Sequence, residues 1–180
     1  MAEEPPPGEA ATGQRQRGRC HHRNARRGEA VKFWDSSALV ALHVEEPATE
    51  SLRLLLRRDP DVIVWMLSSV EVLSAIARLQ RRSEGLQDLL HGVRLEVLER
   101  WRQWSPVTLV EPVRRRAERL VALHPLAAAD GLQLAAALVA AGDRPETLPF
   151  VTLDKRLATA AQLEGFPVVS GHEGAAGHEG

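Results

Sequence analysis

Four carboxylates, Asp35, Glu71, Asp130 and Asp154, stand where solubility alone would not put them. Asp35 follows the apolar run Val31-Lys32-Phe33-Trp34 and precedes Ser36-Ser37-Ala38-Leu39-Val40, the layout of a strand end opening a helix. Asp154 repeats it, after Leu148-Pro149-Phe150-Val151-Thr152 and before Lys155-Arg156-Leu157-Ala158. Either aspartate suits a helix N-cap. Parallel neighbouring strands would also deliver both to one edge of a sheet, a pairing that capping does not require. Asp130 and Gln133 are the only polar side chains between Ala127 and Ala141, so this helix is expected to be buried. An ionised carboxylate there costs several kcal/mol unless it is compensated, and no Arg or Lys lies within one turn. A distant arginine, backbone amides or a metal must satisfy it. Glu71 lies near the start of a helix in Ser68-Ser69-Val70-Glu71-Val72-Leu73-Ser74-Ala75-Ile76. Ser68 and Glu71 have capping-box spacing, and a glutamate folded back onto the Ser68 amide is less free to reach a metal.

If the topology gathers these carboxylates, their repulsion raises some pKa values or demands divalent cations, which accept several oxygen ligands. With no histidine or cysteine cluster in the folded region the donors are hard oxygens, suited to Mg2+ or Mn2+ rather than zinc or iron. Such ions suit phosphodiester cleavage, because they lower the pKa of attacking water and stabilise charge on phosphate and leaving oxygen. The chemistry points to a nuclease.

The elements that must position these residues follow from periodicity. Val31–Trp34, Val62–Trp65, Val107–Val110, Leu148–Val151 and Pro167–Val169 read as strands. Helices are expected over Thr49–Arg58, Ser69–Arg82, Ala127–Ala141 and Lys155–Glu164. Two more are expected where Leu86, Leu89, Leu90, Val93, Val97, Trp101 and Trp104, and then Val113, Ala117, Leu120 and Val121, recur at helical spacing. Buried strands separated by helices imply an α/β class, a mostly parallel sheet flanked by helices. Its ligand site should lie beyond the carboxyl ends of the strands.

The chain has 180 residues, 44% of them hydrophobic, enough for one domain. A formal net charge of -1 carries no strongly basic footprint. The single cysteine, Cys20, excludes an intramolecular disulfide framework and suits a reducing cytosol. No apolar run is long enough for a membrane span and the amino terminus lacks a secretory signal, so a cytoplasmic location without membrane attachment is expected. Residues 1–30, rich in Pro, Gly and Arg, read as a disordered arm, 31–169 as the domain and 170–180 as a flexible tail. Adjacent Cys20, His21 and His22 on such an arm make a poor metal site. The change of composition at Val31 suggests a translation start there, which amino-terminal sequencing of the native protein would decide.

The Val31–Val40 segment, the Glu71 helix, Leu126-Ala127-Ala128-Ala129-Asp130-Gly131-Leu132-Gln133-Leu134-Ala135 and Val151-Thr152-Leu153-Asp154-Lys155-Arg156-Leu157 together resemble the PIN-domain ribonucleases, most of all the VapC-type toxins of toxin–antitoxin pairs. The resemblance spans essentially Val31 to Val169 and implies a three-layer PIN-like fold. It also implies magnesium- or manganese-dependent RNA cleavage, with Asp35, Glu71, Asp130 and Asp154 as the catalytic, metal-holding carboxylates. Ser37 and Thr152 fall where the family often carries a hydroxyl that orients the acidic cluster, although local capping also favours such residues there. The family often has histidine where Gln133 stands. A homodimer and a small cognate antitoxin are the partners the resemblance implies. Of the basic residues, Lys155 and Arg156, beside Asp154, are best placed to meet RNA phosphate, whereas the arginines at 53, 57 and 58, at 78, 81 and 82, and at 114, 115, 116 and 119 read mostly as solvated faces.

The alternative to a ribonuclease is a non-catalytic RNA-binding or partner-docking scaffold in which the acids serve as caps. A haloacid-dehalogenase-like phosphatase with Asp35 as nucleophile is disfavoured, because that family wants Asp or Thr where Ser37 stands.

Overall fold

The computed structural model describes residues 31–82, 85 and 87–170. The arm expected over 1–30 and the tail from 171 onward lie outside the described residues. Strands β1 (Lys32–Trp34), β2 (Val62–Trp65), β3 (Ser105–Val107), β4 (Phe150–Val151) and β5 (Val168–Val169) alternate with helices α1 (Ser36–His43), α2 (Thr49–Arg58), α3 (Ser68–Arg82), α4 (Gln87–Trp101), α5 (Val110–Leu123), α6 (Ala128–Ala140) and α7 (Lys155–Leu163). They build one parallel sheet in the order β3-β2-β1-β4-β5. This is the α/β class that the sequence predicts.

Alternation along each strand divides the interior in two. Phe33, Ile63, Trp65, Phe150 and Val168 face the side covered by α5, α6 and α7, while Trp34, Val62, Val64, Val151 and Val169 face α1 to α4. Both faces are therefore apolar, as a parallel sheet between helical layers requires. From β1 the chain steps outward to β2 and β3, then returns to the opposite side of β1 for β4 and β5. Right-handed crossovers in opposite directions place their helices on opposite faces. The reversal makes the gap between β1 and β4 the switch point, where such sheets bind ligands beyond their carboxyl ends.

Three expectations shift. The third strand is Ser105–Val107, with Pro106 on a sheet edge, where its missing N–H breaks no ladder; Val110 opens α5 instead of ending the strand. The fourth strand is confined to Phe150–Val151, because Leu148 closes a 3-10 turn over Pro145–Thr147. Helix α6 is buried at Gly131 and from Gln133 to Leu138, but Ala127, Ala128 and Ala129 are exposed and Asp130 is half-buried in the first turn. Trp104 lies past α4, edge-on to Trp101 with ring centroids 5.9 Å apart. At the amino-terminal side of the sheet Lys32 meets the buried Asp59 at 2.6 Å. Among the described residues no helix is long and apolar enough to cross a membrane.

Candidate active site

Adjacent strands β1 and β4 run in register, Trp34 beside Val151, and the Asp35 amide donates to the Val151 carbonyl at 2.9 Å. Asp35 is thus fixed at the switch point, only 2% exposed. It caps α1, its Oδ2 accepting from the Ser37 amide at 3.0 Å, the Ser37 hydroxyl at 2.5 Å and the Thr152 hydroxyl at 3.0 Å. Among the described residues its Oδ1 has only a 3.4 Å contact from the Ser36 hydroxyl. One oxygen is saturated and the other is nearly free. Burial pushes the Asp35 carboxyl above its ordinary pKa; the Ser37 and Thr152 hydrogen bonds offset part of this, and the Glu71 charge adds to it.

Ser37 and Thr152 tie the two strand ends together. Their hydroxyls lie 3.3 Å apart, Ser37 Oγ accepts from the Leu153 amide at 2.9 Å, and Thr152 Oγ1 accepts from the Asp154 amide at 3.1 Å. Asp154 caps α7, with Oδ1 receiving the Arg156 and Leu157 amides at 2.8 and 2.9 Å. The capping that the sequence allows for Asp35 and Asp154 is real, and it occupies one carboxylate oxygen of each.

Glu71 is not folded into a capping box. Helical hydrogen bonding begins at the Leu67 carbonyl, which accepts from Val70 and Glu71, so Ser68 already lies inside the helix. The Ser68 hydroxyl exchanges hydrogen bonds with the Gln133 amide at 2.9 and 3.2 Å, and Gln133 Nε2 donates to Glu71 Oε2 at 2.8 Å. Gln133 and Ser68 are fully buried. Sequence reasoning gave these two no more than a neighbouring contact and a cap. The available signal was the i, i+3 spacing of Asp130 and Gln133, which puts both on one face of α6.

The Ala127 backbone and the Arg156 charge on α7 both favour the ionised form of Asp130. Even so its pKa is raised, first by burial and then by the charge of Asp154. Charge repulsion thus links Asp35 with Glu71 and Asp130 with Asp154. Among the described residues no three His, Cys, Asp or Glu side chains come within reach of a single ion. The donor set still fits a hard divalent cation in kind. It is all oxygen, and Asp35 Oδ1, Glu71 Oε1 and Asp154 Oδ2 are left with little or no hydrogen bonding among the described residues.

The PIN domain family matches residues 32–163. The crystal structure of FitAcB from Neisseria gonorrhoeae is similar with a TM-score of 0.54 and 21% identity, covering 78% of this chain and 97% of that one, a likeness of fold. No curated protein matches. With the strand order, the acidic switch point and a family match over most of its length in agreement, the chain belongs to the PIN-domain family.

Proposed function

We propose that residues 31–169 form a divalent-metal-dependent endoribonuclease, the toxin component of a toxin–antitoxin pair, acting on RNA phosphodiester bonds in the cytoplasm. PIN domains are generally nucleases, which supports hydrolysis. The observation that carries the reading is Asp35: a buried carboxylate with one oxygen locked by three donors and the other left open at the switch point between β1 and β4. A carboxylate held this way is preorganised for a cation and is poorly satisfied without one.

Asp35, Glu71, Asp130 and Asp154 would be the carboxylates that hold Mg2+ or Mn2+. When bound, such an ion supplies activation of water and neutralisation of charge at the phosphate. Ser37 and Thr152 keep Asp35 aimed, and Gln133 does the same for Glu71. Lys155 and Arg156 open α7 directly after Asp154, where incoming phosphate meets positive charge. The toxin role, a homodimer and a small cognate antitoxin rest on the resemblance of the four acidic motifs to VapC-type toxins.

The full chain with Mg2+ or Mn2+ should cut RNA, and Asp35→Asn and Asp130→Asn should lose cleavage while keeping the native circular dichroism spectrum. Absence of cleavage by the wild type, or equal cleavage by both variants, sinks the reading. A non-catalytic RNA-binding scaffold is favoured by one observation, that Asp35 and Asp154 serve as helix caps. Calorimetry separates the two, since a scaffold binds RNA with the same affinity in EDTA as in Mn2+.

A further inference from the structure

Beside the acidic edge lies a hollow of about 290 Å3 between the α5–α6 connection and α7, lined by His124, Pro125, Lys155, Arg156, Ala160 and Leu163 among others. Both of its walls run into the candidate active site. The α7 wall begins at Lys155 and Arg156, immediately after Asp154, and the facing wall continues from Pro125 through Ala127 to Asp130. The charge of Arg156 acts directly on the Asp130 carboxyl.

Charge distribution distinguishes this wall from the basic face of α5. On α5, Arg114 is held by Glu111 and Glu118, Arg115 by Glu111, Arg116 by Asp143 and Arg119 by Glu164. Lys155 and Arg156 are exposed and have no side-chain ion pair among the described residues. Below them the hollow is apolar: Pro125, the buried Ala160 and Leu163, a leucine 72% exposed to solvent. His124 stands in the wall with its ring fixed, Nε2 being 2.8 Å from Glu164, which Arg119 also holds. Two exposed cations without an ion pair among the described residues, above an apolar recess, complement a phosphate joined to a flat, weakly hydrated ring system, and the volume is near the lower limit of small-ligand sites, ~300 Å3.

We propose that this hollow is a substrate subsite that receives one unpaired nucleotide of RNA next to the bond to be cut. The base lies against Pro125 and Leu163, and the adjoining phosphate lies on Lys155 and Arg156. The proposal rests on the ribonuclease reading and adds to it where the base beside the scissile phosphate is held, since an unstacked base can enter a recess. It makes Leu163 and Thr159, which also lines the hollow, determinants of which base is accepted.

The test fills the hollow without touching a carboxylate. Thr159→Trp on the exposed face of α7, Lys155→Gln, and the distant control Arg115→Gln are compared with wild type in the full chain. Cleavage of a randomised single-stranded oligoribonucleotide pool in Mn2+ is read by sequencing the cut sites. Binding of a fluorescein-labelled eight-nucleotide RNA is read by anisotropy in the Asp130→Asn background. The expected result is a KM and Kd raised about tenfold in Thr159→Trp, with altered base preference at one position, unchanged kcat at saturation, and wild-type behaviour in Arg115→Gln. Wild-type cleavage with unchanged KM, Kd and base preference in Thr159→Trp overturns the subsite while leaving the nuclease reading intact. A wild type that cuts nothing overturns the nuclease reading and the substrate role with it, and RNA binding lost in Thr159→Trp then leaves the hollow only as an RNA-binding site. Absence of both cleavage and binding overturns both.

Discussion

Gln133 on α6 donates from Nε2 to the Glu71 carboxylate on α3 across 2.8 Å, joining two helices that approach the acidic edge from opposite faces of the sheet. The same amide exchanges hydrogen bonds with the Ser68 hydroxyl, so its rotation is fixed from two sides. Glu71 Oε2 thereby gains a donor, and Oε1 has no hydrogen bond among the described residues. Gln133, itself held by Ser68, thus sets the geometry of a carboxylate 62 residues away in sequence.

Replacing Gln133 with leucine keeps most of the volume and removes every donor. Ser68 and Glu71 then lose their partners in a buried setting, which costs about 1–3 kcal/mol. Urea unfolding should show that loss. Calorimetric titration with Mn2+ should show weaker binding than in a buried apolar control such as Leu134→Met, which a purely structural effect would match.

Thr152→Val removes the hydroxyl that bridges Asp35 and the Asp154 amide while keeping the branched shape. A charged acceptor losing one donor should cost about 1.5–3 kcal/mol, and Asp35 should become harder to ionise. Thr152→Ser restores the hydroxyl and should recover both stability and Mn2+ affinity; a serine variant no better than valine would refute the role assigned to the oxygen.

Asp35 gives a test of electrostatics with a definite sign. Burial raises its pKa above the ordinary 3.8, so the native state holds this proton to higher pH than the unfolded chain does. The protonated form is favoured in the fold, and stability is lost as pH climbs from 3.8 toward the raised value. In EDTA, Asp35→Asn should therefore melt above the wild type at pH 7, and the gap should close toward pH 4. Mn2+ should narrow the gap at pH 7 by stabilising the wild type alone.

Much of this arrangement is legible in the chain. Asp35 and Asp154 each follow an apolar strand and precede a helix, and parallel strands deliver both to one edge. The Val107–Val110 run misplaces the third strand because β-branched and apolar residues continue without a break from strand into helix α5, and periodicity does not mark where one ends. Asp130 looks deeply buried because alanines surround it, yet Ala127, Ala128 and Ala129 are exposed; alanine is a helix former as much as a core residue. The Gln133–Ser68–Glu71 connection crosses the sheet edge between residues more than 60 apart, and no local pattern encodes such a contact.

Gly131, next to Asp130, lets α5 and α6 approach closely. A Cβ there would meet Val121 Cγ1 at 2.6 Å, and a valine on a helix has little rotamer freedom with which to yield. Alanine in place of glycine gains about 1 kcal/mol of helix propensity, but overpacking costs about 1–3 kcal/mol. Gly131→Ala alone should be neutral to destabilising in urea unfolding. In a Val121→Ala background the clash is gone, and the same substitution should stabilise.

At the far end of α1 from Asp35, His43 has a side chain only 1% exposed, with neither ring nitrogen hydrogen-bonded among the described residues. Glu96 lies 3.8 Å from Nδ1, beyond hydrogen-bond reach. Burial lowers the His43 pKa below 6.5; the Glu96 charge opposes the shift, and Arg100 and Arg53 reinforce it. Below pH 6.5 the unfolded chain takes up a proton that the native ring refuses, so stability falls with acidification by up to about 1.4 kcal/mol per pH unit. His43→Leu should remove that slope between pH 7 and pH 5, because leucine presents no ring nitrogen to protonate. At pH 7.5 the substitution should be neutral or stabilising, since two buried polar atoms without partners are lost together. Parallel wild-type and His43→Leu stability curves over this range would mean that another group carries the acid response.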